Sequence, residues 1–134
     1  MKKNFALNDD SISFQIANHY FDVHNGFHLC GLEIDFIAKQ MTIRFSTSNT
    51  PLMDQMHEKL TLLFRGVDFL TVNIGNIGKI NCDVAELGYK QPDDFDHDWL
   101  MREKNCSSEA HLFIRFEGDE FIRIHGETVE LTYV

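Results

Sequence analysis

The clearest feature of the chain is the alternation of apolar and polar residues between positions 28 and 46, HLCGLEIDFIAKQMTIRFS. Successive side chains of a β-strand point to opposite faces, so this alternation predicts two strands that each bury one face. A turn at Ile37–Gln40 brings both sets of side chains into register, which favours a hairpin with one wet face. The predicted facing pairs are Phe36–Met41, Ile34–Ile43 and Leu32–Phe45 on the apolar face and Glu33–Arg44 on the polar face.

The C-terminal stretch 111–134, HLFIRFEGDEFIRIHGETVELTYV, repeats this pattern and predicts a meander of three strands. Its turns fall at Gly118–Glu120 and at Gly126–Glu127, and glycine at the first position of a two-residue turn is typical of type II′. The predicted pairs are Phe116–Ile122 and Ile114–Ile124 across the first turn, and Ile124–Val129, Ile122–Leu131 and Arg123–Glu130 across the second.

The middle of the chain predicts further strands with less regular patterns. Residues 59–75 indicate one bulged strand or two short ones, with Gly66 as the kink. Residues 78–84 indicate another short strand. Residues 46–56 indicate a loop, because Pro51 lacks the amide proton that a strand ladder needs.

Helix is predicted in only one segment. Residues 92–105 begin with aspartates, end with Arg102 and Lys104 and contain no internal glycine. That order of charges suits the helix dipole and predicts a helix of two to three turns. Residues 9–21 fit either a helix capped near Ser11 or a strand, so both alternatives stay open.

Together these elements predict an α+β fold that is mainly antiparallel β, with one or two short helices. About seven or eight strands would form a sandwich or a partly open barrel. The 134 residues are 43% hydrophobic, and no linker or repeat divides them. We therefore expect a single domain over residues 1–134, large enough to bury its own core.

Charge and cysteine content narrow the function classes. The net charge is −9, from 12 basic and 21 acidic residues, so the chain should repel nucleic acid and suit a basic partner. Three cysteines without paired spacing predict reduced thiols and a cytoplasmic location; they are Cys30, Cys82 and Cys106. The N-terminus has no signal-peptide pattern, and no apolar run is long enough for a membrane span.

The stretch HYFDVHNGFHL at residues 19–29 is a candidate metal site. Imidazole and carboxylate are ligands that zinc prefers, and the candidates are His19, Asp22, His24 and His28. However, Asn25–Gly26 is a turn signal that breaks the helix on which three histidines would share a face. We therefore interpret the segment as a polar lead-in to a hairpin, whose side chains bond turn backbone.

The stretch DDFDHDW at residues 93–99 is a candidate partner-binding site, consisting of Asp93, Asp94, Asp96, Asp98 and Trp99. Three of the acids mimic the first ligands of a calcium loop, but the required glycine is replaced by Trp99 and the last acid by Asn105. An EF-hand is thereby excluded. A tryptophan beside acids is typical of a binding anchor, whereas the alternative is a solvated helix start.

Catalytic and cofactor motifs are missing from the chain. It contains no GxSxG, P-loop or GxGxxG sequence, and GNIG at residues 75–78 is better interpreted as a turn. Cys30 is predicted on the apolar face of its strand, where a thiol is a poor nucleophile. We assign no catalytic residue, no cofactor and no metal from the sequence, which leaves enzyme activity unsupported.

The stretch YFDVHNGFHLCGLEIDFIAKQMTIRFS resembles the start of small β-rich bacterial domains with an aromatic–Asp–Phe–His–Asp lead-in and a hairpin after it. LLFRGVDFL and FIRIHGETVEL are similar to their later strands, so the resemblance covers residues 19–131. His24 matches the lead-in histidine, whereas Asn25 replaces the aspartate. Such domains include immunity proteins of bacterial toxin systems, which the resemblance implies as a function.

The leading hypothesis is a non-enzymatic cytoplasmic protein-binding domain, an immunity protein that neutralises a basic toxin such as a nuclease. It would bind neither nucleic acid nor membrane. One alternative is a small metal-dependent enzyme that uses the segment with His19, Asp22, His24 and His28. The other is a structural domain that forms a homodimer through an exposed edge strand.

Overall fold

The computed structural model describes residues 1–47, 58–79 and 83–134. These residues form twelve β-strands, and their helical content is two single turns of 3-10 helix at Ile77–Lys79 and Glu103–Asn105. The predicted mainly antiparallel β fold is confirmed, with more strands than predicted. None of the helices in the described residues is long and apolar enough to cross a membrane.

The strands are short at the N-terminus and longer in the rest of the chain. They are β1 (Lys2–Lys3), β2 (Ala6–Leu7), β3 (Ser13–Ile16), β4 (His19–Asp22), β5 (Phe27–Asp35), β6 (Gln40–Thr47), β7 (Lys59–Arg65), β8 (Phe69–Asn73), β9 (Val84–Lys90), β10 (His111–Phe116), β11 (Phe121–His125) and β12 (Thr128–Tyr133).

These strands build three sheets. A five-stranded sheet has the order β1-β12-β7-β6-β5, a four-stranded sheet the order β8-β11-β10-β9, and a three-stranded sheet the order β2-β3-β4. Neighbouring strands are antiparallel except β1 and β12, which are parallel. Buried apolar side chains of all three sheets pack into one hydrophobic core.

The β5–β6 hairpin confirms the predicted alternation but not the predicted register. Ile34 lies opposite Met41, and the turn consists of the four residues between Asp35 and Gln40. Predicted and observed pairings differ by two residues, and a shift of two keeps every side chain on its face. Phe36, the predicted partner of Met41, therefore lies in the exposed turn.

A bulge in β5 accounts for the remaining differences. The pairing with β6 shifts between Leu29 and Gly31, so Leu29 rather than Leu32 lies opposite Phe45. Cys30 is the extra residue at this shift and is exposed, so its predicted place on the apolar face is wrong. A bulge reverses the alternation locally, which the apolar pattern alone does not reveal.

The β10–β11 hairpin is likewise confirmed with a register shift of two. Ile114 lies opposite Ile122 instead of Ile124, because the three-residue loop consists of residues 117–119 rather than the predicted Gly118–Glu120. The amide of Phe116 donates to the carbonyl of Glu120 at 2.8 Å and closes this turn.

The third strand of the predicted meander forms, as β12, but its predicted pairing with the second strand is wrong. β11 pairs with β10 and β8 in the four-stranded sheet, whereas β12 pairs with β7 and β1 in the five-stranded sheet. Arg123 therefore does not face Glu130, whose carboxylate instead lies 3.5 Å from Arg65.

Two segments of the chain pass between the five-stranded and the four-stranded sheet, and they do so at the same corner. Segments 59–73 and 121–133 run antiparallel, and they bend together at Gly66 and Gly126. Gly66 has φ +63°, which favours glycine, and a Cβ on Gly126 would lie 2.8 Å from the carbonyl oxygen of Arg65. The chain is therefore broken at Gly66 into β7 and β8, which confirms the alternative of two short strands for residues 59–75.

The remaining predictions concern residues 9–21, the loop at residues 46–56 and the short strand at residues 78–84. Residues 9–21 form strands β3 and β4, so the strand alternative holds. Ser46 and Thr47, predicted as loop, belong to β6, and the rest of that loop through residue 56 lies outside the described residues. Of the strand predicted at 78–84, Gly78 is in a 3-10 turn, β9 begins at Val84, and residues 80–82 lie outside the described part.

The helix predicted at residues 92–105 is wrong. These residues form turns, an isolated bridge between Tyr89 and Met101, and the 3-10 turn at Glu103–Asn105. The Asp94 carboxylate accepts the amide of Asp96 at 2.9 Å, and that of Asp96 accepts the amide of Asp98 at 3.1 Å. Aspartate side chains that bond the following backbone compete with helix formation.

Candidate functional site

Both faces of the four-stranded sheet are buried, although the alternation predicts only one. The inward positions of β10 and β11 are apolar and join the core. The outward positions carry rings and cations: His111, Phe113 and Arg115 on β10, and Phe121, Arg123 and His125 on β11. Phe113 and Arg123 are fully buried because the segment after β9 covers this outward face.

The covering segment leaves the sheet at Lys90 and returns beside it at Met101. Met101 and Tyr89 exchange backbone hydrogen bonds of 2.8 and 3.0 Å. Leu100 packs directly on the backbone of Gly88, where an added Cβ would lie 2.5 Å from the Cβ of Leu100. We call residues 91–99 of this segment the acidic loop.

Arg123 holds the acidic loop over the sheet. Arg123 is fully buried, and its guanidinium carbon lies 4.7 Å from the centre of the Phe95 ring and 5.3 Å from the centre of the Phe69 ring. Three backbone carbonyls and two imidazoles surround it: it donates to the carbonyls of Asp94 (2.6 Å), Gln91 (2.9 Å) and Pro92 (3.3 Å) and to Nδ1 of His111 (3.0 Å), and it lies 3.0 Å from Nε2 of His97.

These contacts fix the protonation of the two histidines. A guanidinium has only donors, so Nδ1 of His111 and Nε2 of His97 must both accept, and both imidazoles are neutral. Burial and then the nearby Arg123 cation lower the pKa of His111 to about 4. Burial and then Arg123 also lower the pKa of His97.

Lys90 is a second buried cation under the acidic loop. Its Nζ donates to the carbonyl of Trp99 at 2.7 Å, lies 3.1 Å from the Asp94 carboxylate, and sits 3.6 Å from the centre of the Trp99 ring. The amide of Asp96 and then Lys90 hold the pKa of the Asp94 carboxyl below its usual value. Both ends of the acidic loop are therefore tied to buried positive charge.

The predicted partner-binding residues divide into two groups. Asp94 turns inward to Lys90, whereas the other predicted members are exposed: Asp93, Asp96, Asp98 and Trp99. The Trp99 side chain is 48% exposed, and Phe95, which the sequence did not single out, is 65% exposed. The acidic loop thus presents two rings among three carboxylates.

The four metal-site candidates serve separate structural roles. His19 packs its ring against Tyr133 at 4.8 Å, and the Asp22 carboxylate accepts the amides of His24 and Asn25 at 3.0 and 2.9 Å. This confirms the turn before β5. His24 Nδ1 lies 2.5 Å from the carbonyl of Val84, and His28 Nε2 lies 3.4 Å from the Ser46 hydroxyl. Within the described part of the chain, no three His, Cys, Asp or Glu residues are grouped to hold a metal ion.

Sequence reasoning missed the residues that fix the acidic loop, namely Lys90, His97, His111 and Arg123. A signal for two of them, His111 and Arg123, exists in the pattern of β10 and β11. The positions of these strands that were predicted to face solvent alternate rings with cations, as in Phe121–Arg123 and Phe113–Arg115, instead of carrying small polar residues. Large rings on both faces of a strand indicate that something covers the second face.

Comparisons with family models, with curated proteins and with solved structures find no match to this chain.

Proposed function

We propose that this chain is an acidic protein-binding domain that captures a basic protein through the exposed side of the acidic loop. The observation that carries this proposal is the pair of exposed rings, Phe95 and Trp99, on a loop that two buried cations hold in place. Exposed aromatic rings with a polar surround are typical of the residues that contribute most to binding.

Rigidity of the acidic loop supports binding because it lowers the entropy lost on association. A free loop of this length would have to be ordered by its partner, whereas here Arg123 and Lys90 already bond its backbone. The two rings are therefore held in one arrangement before a partner binds. Rigid aromatic anchors supply contact area at small conformational cost.

The charge around the rings supports a basic partner. Asp93, Asp96 and Asp98 flank Phe95 and Trp99, and the whole chain carries a net charge of −9. Opposite charges steer two proteins together and raise the association rate more than the affinity. Lysine or arginine side chains of a partner would meet both carboxylates and ring faces on this surface.

The class of partner follows from the resemblance to immunity domains. We infer a basic toxin, for which a nuclease is the simplest chemical type, and a domain that acts in the cytoplasm beside it. In this proposal the five- and four-stranded sheets are the two layers of a β-sandwich, since their buried side chains share one core. The acidic loop would then cover the outer side of one layer.

The proposal is tested by affinity capture from the native host at low and at raised salt. We expect the chain to capture a basic protein encoded beside it, with less recovered at raised salt because the charges are screened. With the captured partner purified, changing both Phe95 and Trp99 to alanine should reduce the affinity of this chain for it by about a hundredfold, the effect expected of two anchor side chains.

The matched control is Ile77→Ala, which removes a 79% exposed apolar side chain that belongs to the 3-10 turn after β8 and not to the acidic loop. Its affinity should equal that of the unchanged protein. Recovery of no partner at low salt would contradict the proposal, as would equal affinity of the double variant and the control.

A further inference from the structure

A second apolar surface lies at the turn between β5 and β6, where hairpins usually carry polar residues. The side chains of Phe36 and Ile37 at its tip are 80% and 95% exposed. The turn itself is well held. The Asp35 carboxylate accepts the amides of Ile37 and Ala38 at 3.0 and 2.9 Å, and the carbonyl of Lys39 accepts the amide of Val67 at 2.9 Å.

A cleft of about 270 Å³ opens beside this tip, between the turn and the start of β8. Its walls are mostly apolar and include Met41, Val67 and Leu70. Ile37 is almost fully exposed and so does not fill the cleft of its own chain. The same surface therefore carries a projecting apolar side chain, Ile37, which we call the tip, and an apolar recess, which we call the cleft.

The rim of the cleft carries both signs of charge. Asp35 and Asp68 line it together with Lys39. The Asp68 carboxylate is fixed by Nδ1 of His125 at 2.7 Å. Two copies of a chain with net charge −9 repel each other in general, so self-association needs a patch that carries both signs of charge.

We propose that the occupant of the cleft is a second copy of this chain, with each copy inserting its Ile37 tip into the cleft of the other. A two-fold interface uses the same surface on both subunits, so it needs a projection and a recess side by side on one patch. This surface has both, and its rim carries one lysine and two carboxylates, the two signs of charge that a self-complementary patch needs. An exposed apolar patch of this kind marks an interaction site.

This dimer goes beyond the proposed function and is independent of it. The tip and the cleft contain none of the acids of the acidic loop, so the two proposals rest on different residues and are tested by different variants. Failure of the dimer would therefore leave the captured partner unaffected, and a missing partner would leave the dimer testable.

Sedimentation equilibrium from micromolar to millimolar protein tests the proposal. We expect the weight-average mass to rise towards twice the 15.6 kDa of one chain. Ile37→Asp should raise the dissociation constant about tenfold or more, because it puts a charge into an apolar recess. Ile77→Asp introduces the same charge at another exposed isoleucine and should dimerise like the unchanged chain.

A second measurement identifies the contact directly. Equal amounts of ¹⁴N- and ¹⁵N-labelled protein are mixed and treated with a zero-length amine–carboxylate crosslinker. We expect mixed-isotope crosslinks between Lys39 and Asp35 or Asp68, and their loss in Ile37→Asp. A monomer at every concentration, equal dimerisation of the two isoleucine variants, or crosslinks confined to one isotope would overturn the proposal.

Discussion

At the scale of single residues, Arg123 explains most about the candidate site. A guanidinium that is fully buried away from carboxylate contact is costly unless other acceptors replace its water shell. Here backbone carbonyls of the acidic loop and two neutral imidazoles replace it. The need of the buried cation for acceptors thus holds the loop in one conformation, and the loop in return keeps water from the cation.

The neutral state of His111 predicts a loss of stability in mild acid. Its pKa is about 4 in the folded chain and near 6.5 when unfolded, so between these values only the unfolded chain binds the proton. The free energy of unfolding should therefore fall by about 2 to 3 kcal/mol as the pH drops from 6.5 to 4. Protonation of His97, whose pKa is also lowered, acts in the same direction.

Urea unfolding across this pH range measures the effect. His111→Asn places an amide oxygen where Nδ1 accepts from Arg123, so it keeps the hydrogen bond and removes the titration. We expect a lower stability at neutral pH from lost ring packing, but a much smaller fall towards pH 4. The control is His19→Asn on the exposed side of β4. If the free energy of unfolding falls equally in the unchanged chain and in His111→Asn, the account of a neutral His111 that accepts from Arg123 is wrong.

At the scale of elements, local patterns predicted the strands, and tertiary context decided their partners. Alternation identified β5, β6, β10 and β11, and register errors of two residues left each face correct. The pattern could not show that Gly126 turns a corner between sheets instead of closing a hairpin, because both arrangements need glycine there. The corner is set by β7 and β8, which lie about sixty residues earlier in the chain.

The acidic segment shows a second limit of local reasoning. Its charge order fits a helix, but carbonyls that a helix would use internally are instead acceptors for Arg123 and Lys90. Its acids and Trp99 could be named as a candidate site from composition alone. Phe95 and the buried cations could not, since their roles depend on a sheet face that the loop itself covers.

Close packing of the loop on β9 predicts a specific cost for Gly88→Ala. The new Cβ would meet Leu100 at 2.5 Å and the carbonyl oxygen of Met101 at 3.0 Å, so the loop must move away from the sheet. We expect a loss of about 1 to 3 kcal/mol in the free energy of unfolding, as is typical of overpacking. Urea unfolding at neutral pH measures it.

Gly31→Ala is the matched control, because the nearest atoms to its added Cβ belong to Arg44 at an ordinary 3.9 Å. Its stability should change by less than about 0.5 kcal/mol. Equal effects of the two glycine substitutions would show that Leu100 does not pack on β9 as described.

At the scale of the whole molecule, a β scaffold carries two exposed surfaces of different character. One is the acidic loop, with rings and carboxylates over the four-stranded sheet, and the other is the apolar tip and cleft beside β8. Phe69 lies near both, since it lines the cleft and contacts the Arg123 guanidinium. The cleft and the Arg123 side chain that holds the acidic loop are therefore neighbours in the structure, although the proposed partners of the cleft and of the loop differ.

The most direct test of the central claim is a nuclear Overhauser measurement on the Arg123 guanidinium at neutral pH. If Arg123 clamps the acidic loop, its side-chain protons exchange slowly with water and show contacts to the rings of both Phe95 and Phe69. If those protons exchange as fast as those of the exposed Arg44 and show no contact to Phe95, the loop is not held over the sheet and the account of the site is wrong.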